Sequence, residues 1–217
     1  MPRPVSLPLL LCVLACAVPA AAADFVVGAH GGYGAYTQED LNAAIRELNA
    51  AARADLADEI AGGFLYGGHA GLRINDSSIL GVGYDRLLAK ASGSAGGSFL
   101  DLEVPADCWY VFWQWLPDSD KVGRLGLGAD AGFVTVSGGA SSRVGVNPVE
   151  TRSYEGDGLF LAVSVVGDAV LGSGFSLLGQ GGFRLAQVPG ITIDGLVSGD
   201  DLDYSGVFVR AGLRYAP

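Results

Sequence analysis

Once an N-terminal leader is set aside, no apolar run in this 217-residue chain is long enough to span a bilayer as a helix, which takes about 20 residues. Helical membrane proteins are thereby excluded. Cysteine is scarce as well. Cys12 and Cys16 lie within the leader, so Cys108 stands alone in the remainder. That leaves neither a disulfide framework nor a cysteine metal site, and Cys108 reads as a small apolar surface residue. Basic residues number 13 against 23 acidic ones. Nucleic acid is a poor partner for such a chain, because its binding rests on neutralising phosphates. With only two histidines, His30 and His69, imidazole chemistry has few places to occur.

The leader, Met1 to Ala23, has the form of a secretory signal peptide. Arg3 gives the positive start, Leu9 to Val18 the apolar segment and Ala21-Ala22-Ala23 the cleavage site. Val13-Leu14-Ala15-Cys16 offers a weaker, lipoprotein-like alternative that Leu14 fits poorly. Removing residues 1–23 leaves 194 residues, with 12 basic and 23 acidic side chains and a net charge of −11. One domain, residues 24–217, is expected.

What is abundant is glycine, 34 residues of it, set among apolar residues at period two. Strands are expected near 24–36, 62–74, 79–91, 99–115, 123–137, 157–171, 174–188 and 203–216. All exceed the usual strand length of about 5–6 residues and suit a tilted crossing of about 9–11. In the last strand Val207, Val209, Ala211, Leu213 and Tyr215 share one face, opposite Tyr204, Gly206, Phe208, Arg210, Gly212 and Arg214. The connections alternate. Short turns at 75–78, 117–120 and 172–174 are interleaved with longer segments at 37–61, 92–98, 138–156 and 189–202, as in a barrel with one plain rim and one working rim. Residues 37–61 read as an amphipathic helix starting at Thr37 and Asp40, with Leu41, Ala44, Ile45, Leu48, Ala52 and Leu56 on one face. The polar 138–156 segment reads as a mobile loop suited to surface contacts.

The segments Gly31-Gly32-Tyr33-Gly34, Leu80-Gly81-Val82-Gly83-Tyr84-Asp85, Leu125-Gly126-Leu127-Gly128-Ala129 and Gly206 to Tyr215 resemble the small outer-membrane β-barrel family, which includes the OmpA membrane domain, OmpX and OmpW. The resemblance implies an all-β, eight-stranded antiparallel up-and-down transmembrane barrel in the bacterial outer membrane. Outer-membrane lipid and lipopolysaccharide would surround it as a monomer. Family members commonly finish on an aromatic residue, whereas this chain has Tyr215-Ala216-Pro217.

Eight strands enclose an interior that side chains fill, so inward charges must pair. Candidates for such a network are His30, His69, Arg73, Asp85, Asp101, Glu103, Asp107, Arg124, Asp130, Asp168, Arg184, Arg210 and Arg214, with acids of strands three to five facing arginines of strands seven and eight. Trp109, Tyr110, Trp113 and Trp115 before the Pro117 turn, with Tyr215 at the same level, read as interface aromatics. Neither His30 with His69 nor the acidic trio Asp200, Asp201 and Asp203 has the spacing of a metal site. Gly126 to Ala131 matches a dinucleotide pattern only by accident, since no helix follows it. No cofactor and no catalytic set is expected. The expected role is structural or surface-binding through the outer loops. The alternatives are an OmpW-like channel for small apolar molecules, a soluble barrel and a lipid-modifying enzyme.

Overall fold

A computed structural model describes residues 25–36, 38–117 and 123–217. The expected signal peptide, the Thr37 helix start and most of the 117–120 turn lie outside the described residues. Eight long strands form a closed antiparallel ring: β1 (Phe25–Ala35), β2 (Gly62–Asn75), β3 (Ser78–Leu87), β6 (Ala106–Trp115), β7 (Gly123–Arg143), β8 (Glu150–Gly172), β9 (Phe175–Val188) and β13 (Gly206–Tyr215). Each pairs with the next of these eight, and β1 closes on β13 from Val27 opposite Tyr215 to Gly34 opposite Phe208. Closure leaves the ring without an unpaired edge.

Side-chain alternation follows the strands. Inward glycines make room for large neighbours: a Cβ on Gly83 would meet the Tyr110 ring, and one on Gly34 would meet the Arg184 guanidinium. These glycines are a packing requirement of a narrow interior.

Two of the expected loops, 92–98 and 138–156, are largely strand, and a third, 189–202, is partly so. The segments 79–91 and 99–115 do pair as a hairpin, but Leu88–Ala89 and Val104–Pro105 interrupt it, and Pro105 has no N–H for the ladder. Register survives the break, with Leu87 opposite Ala106 below and Lys90 opposite Glu103 above. Above it the chain forms β4 (Lys90–Ala95) and β5 (Ser98–Glu103), joined at Gly96 and Gly97, both with positive φ. The 138–156 segment, expected as a mobile loop, continues β7 and β8 in unbroken register to Ser142 opposite Glu150. Serine and glycine are weak strand formers, yet β7 here has partners on both sides, β5 and β8. Within 189–202, β10 (Thr192–Ile193) and β11 (Leu196–Val197) flank an Asp194-Gly195 turn, and β10 pairs with β8. Strand β12 (Leu202–Asp203) pairs with β9. Together these elements raise a crown above one end of the ring.

The helix is shorter than expected. Helix α1 spans Glu39–Ala52 and ends at Arg53, which has a left-handed backbone, φ 52°. The following residues run back along it. Asn42 clasps Ile60 by donating to its carbonyl (3.0 Å) and accepting from its N–H (2.7 Å). Asn49 makes a similar clasp further along, donating to the Ala57 carbonyl and accepting from Leu56 N–H. Leu56, expected on the helix face, is buried in this returning segment. Leu41, Ile45 and Ile60 join Leu100, Leu102 and Val104 in one apolar core. The helix therefore lies inside the crown, over the mouth of the ring.

Candidate functional site

The interior of the ring is polar in its lower and middle parts and aromatic towards the crown. At its centre Arg210, from β13, reaches across to the opposite wall. It forms ion pairs with Asp85 of β3 (2.6 Å) and Asp130 of β7 (3.2 Å). It also donates to the Tyr110 hydroxyl (3.0 Å) and, through Nε, to Gln180 (2.8 Å). Asp85 accepts from Tyr110 (3.1 Å) and meets His30 Nε2 at 2.6 Å. Gln180 donates in turn to Ser164. Every one of these side chains is buried. Such a desolvated cation is tolerable because its hydrogen-bonding fork is matched by carboxylate and amide oxygens on several strands.

A second layer lies nearer the short turns. Asp168 of β8 takes Arg124 at 2.5 Å and Arg214 at 3.5 Å, and Arg214 also donates to Gln114. Arg73 lies on the same inward face, two residues beyond Gly71 and four beyond His69. The His69 ring stacks on His30, with centroids 5.9 Å apart, and meets Phe112 edge-on. The third layer faces the crown. Arg184 donates to the Tyr204 carbonyl (3.0 Å) and lies over the Tyr36 and Phe208 rings. The Tyr36 and Tyr204 hydroxyls reach the carbonyls of Leu88 and Val104 respectively, tying β1 and the last loop to the β3–β6 wall.

Asp101, Glu103 and Asp107 do not enter this network, contrary to expectation. On β5 and β6 the even-numbered residues point inward, from Leu100 to Gln114. Asp101 and Glu103 are exposed on the crown, with Glu103 near Lys90, while Asp107 binds Tyr84 and Arg86 on the outer wall. The same phase places Tyr110 inside, where it is a lumen ligand of Asp85 and Arg210 and no interface aromatic, and Cys108 is buried where a surface position was expected. The inward polar residues Gln114 and Ser164 were not expected, and Ser176 and Gln180, on the same face as Arg184, were left out of the expected network. Their signal was present in the alternation of β6, β8 and β9, among residues that carry no charge to draw attention. Asp200, Asp201 and Asp203 hold their own loop together, accepting from the Ser198 hydroxyl, Gly190 N–H and Ser205 N–H. Among the described residues no group of three His, Cys, Asp or Glu side chains is placed to hold a metal.

The outward face is the complement of the inside. Leu127, Leu161, Val163, Leu177, Val209 and Leu213 lie exposed on it, and between its two ends it carries no charged side chain among the described residues. Aromatics ring both ends. Towards the crown lie Tyr33, Phe64, Tyr84, Trp109 and Phe133, with Trp109 directly opposite both Tyr84 and Phe133. Towards the short turns lie Phe25, Trp113, Trp115, Phe175 and Tyr215, the last two with centroids 4.9 Å apart. Trp109 and Trp115 sit roughly 20 Å apart along β6 at a rise of about 3.3 Å per residue, so they mark opposite interfaces where one cluster was expected. A charge-free belt between aromatic girdles is what a bilayer requires of a strand wall.

A crystal structure of Neisserial surface protein A aligns over 91% of this chain and 99% of its own, with TM-score 0.54 and 15% identity. A major outer-membrane protein of Thermus thermophilus aligns over 91% of this chain and 100% of its own, with TM-score 0.53 and 14% identity. The fold is that of a small outer-membrane β-barrel. No protein-family model matches the sequence, and neither does any curated protein.

In this barrel the surface chemistry is concentrated in the crown. Its segments 38–61, 88–105, 137–157 and 189–205 carry 15 acidic and 5 basic residues, whereas the described remainder carries 5 and 6. Tyr154, on the crown's inner wall, is buried enough that desolvation raises its hydroxyl pKa above the ordinary tyrosine value. Helix α1 is tied to the last loop by Asp40, which accepts from Asp201 N–H (2.8 Å), and by Gln38, which accepts from Asp203 N–H (3.2 Å).

Proposed function

We propose that this chain is a non-enzymatic, monomeric protein of the bacterial outer membrane whose lumen is closed and whose working surface is the acidic crown. The observation that carries the reading is the cross-lumen clasp of Arg210 with Asp85 and Asp130, overlain by the Arg184, Tyr36 and Tyr204 layer and by helix α1. A solute path would have to break several buried ion pairs and displace an apolar core. Lipid and lipopolysaccharide surround the belt, and the crown is left for a structural or surface-binding role. The alternative of a channel for small apolar molecules requires an unfilled outer half of the lumen, and Phe160, Phe208 and Tyr204 are all buried there.

Two measurements test this. In SDS electrophoresis of the outer-membrane fraction, an unboiled sample is expected to migrate apart from a boiled one, the mark of an SDS-resistant closed barrel. In planar bilayers the folded protein is expected to give no stepwise conductance. Recovery only in the soluble periplasm, or a steady open conductance, overturns the reading.

A further inference from the structure

Between helix α1 and the inner wall of the crown lies a cleft of about 400 Å³, within the range of small-molecule sites. Its origin is legible in side-chain size. Leu41 and Ile45 reach into the apolar core and are buried, but Ala44 and Ala51 on the helix face Ala140 on β7, and these are too short to meet. Leu48, Leu100 and Leu102 supply the apolar floor, and Ser142 and Tyr154 bring hydroxyls to it.

The rim is charged, and unevenly. Glu150 and Arg152 stand at inward positions of β8, 3.8 Å apart, and answer each other. Glu47, on the helix side of the same cleft, has no cation within ion-pair distance among the described residues. The rim therefore keeps one uncompensated negative charge, set in a crown whose net charge is −10. A field of that sign gathers cations and turns anions away.

We propose that this cleft binds a small amphipathic cation: an apolar or aryl-alkyl body on the leucine floor, with a protonated amine at Glu47, the rim carboxylate that no cation answers. The assignment rests on the crown being the working surface and deepens that reading by naming the class of ligand. An alcohol of the same shape would gain the floor without the charge, and a carboxylate would meet Glu47 while the rim's Arg152 is already engaged by Glu150.

The test uses the whole folded barrel in lipid nanodiscs, labelled at leucine methyls, titrated with 4-phenylbutylamine and separately with 4-phenylbutyrate. Saturable shifts are expected at Leu48, Leu100 and Leu102 with the amine, but not at the belt residues Leu125 and Leu177, which report partition into lipid. Glu47→Gln is expected to weaken binding about three- to fivefold, the scale of one partly exposed charge contact. Ala140→Phe, and independently Ala51→Phe on the opposite wall, should abolish the shifts by filling the cleft. Equal or tighter binding of the carboxylate, shifts that only track the belt leucines, or shifts that survive both phenylalanine substitutions overturn the proposal. Absence of binding by a barrel that still shows its heat-dependent migration sinks this proposal alone. Loss of that migration in the unaltered protein would sink the closed-barrel reading beneath it.

Discussion

Inside the ring, charges are few and most answer one another; above it, charges are many and mostly of one sign. Facing the ring's interior, Asp85, Asp130 and Asp168 are all ion-paired, with Arg124, Arg210 and Arg214, whereas the crown holds 15 acids against 5 bases. Solvent explains the difference. A carboxylate walled in by strands must find a cation, because leaving it unpaired costs several kcal/mol. A carboxylate in water needs no partner, and surface pairs such as Arg46–Glu59 contribute about 0–1 kcal/mol. The apolar groups are arranged in the reverse sense. The ring turns its leucines and valines outward to lipid, and the crown turns Leu41, Ile45, Leu100 and Leu102 inward to an apolar core continuous with the aromatic upper end of the lumen.

That contrast can be broken at its strongest point first. Arg210→Met leaves Asp85 and Asp130 buried without their cation, and a loss of about 3–5 kcal/mol is expected. Unfolding in urea, followed by tryptophan fluorescence in detergent, should move to markedly lower denaturant. Adding Asp85→Leu and Asp130→Leu should recover much of the loss, since the whole unit is then apolar. If the single substitution is silent, the lumen is wetter than the pairing implies.

The two surfaces are separated next. Val163→Arg, in the middle of the belt and 62% exposed, should cost about 2–4 kcal/mol and depress the folded, heat-shifting band, as charges at the bilayer midplane do. Val146→Arg, in the crown's exposed β7–β8 turn, should stay within about 0.5 kcal/mol of the parent. Equal tolerance at both positions would mean that the apolar wall does not face lipid.

Within the crown, Asn42→Ala removes both bonds to Ile60 and should loosen the helix by about 1–3 kcal/mol. Limited proteolysis is expected to cut between residues 53 and 61 faster, with the barrel's own heat shift unchanged. Coupled loss of both would show cap and ring to be one cooperative unit. The smallest effect belongs to Asp101→Asn with Glu103→Gln: no change in unfolding midpoint beyond about 0.5 kcal/mol. A large loss there would put these residues back in the interior.

The eight strands and the long-short alternation of their connections were legible because period-two patterning and turn residues are local properties. So were Arg210, Asp85 and Asp130 as inward partners, since each lies on a glycine-rich face opposite a largely apolar one. The phase of β6 was not legible. It carries aromatics on both faces, Trp109 beside Tyr110, and only its pairing places Cys108 between Asp85 and Val134 on the inside. The same lack of local signal hid the upper ends of β7 and β8, whose serines and glycines read as loop until neighbouring strands supply the hydrogen bonds.

By itself, then, the sequence determined a barrel with a polar inside and an apolar outside, because composition and alternation act residue by residue. Only the tertiary structure decided which acids meet Arg210, that Trp109 and Trp115 mark opposite interfaces, and that the chain after α1 folds back under the asparagine clasps to close the crown and leave a cleft beside it. Those outcomes depend on register and on closure of the ring, which bring together residues as distant as Asp85 and Arg210, and no short-range pattern encodes them.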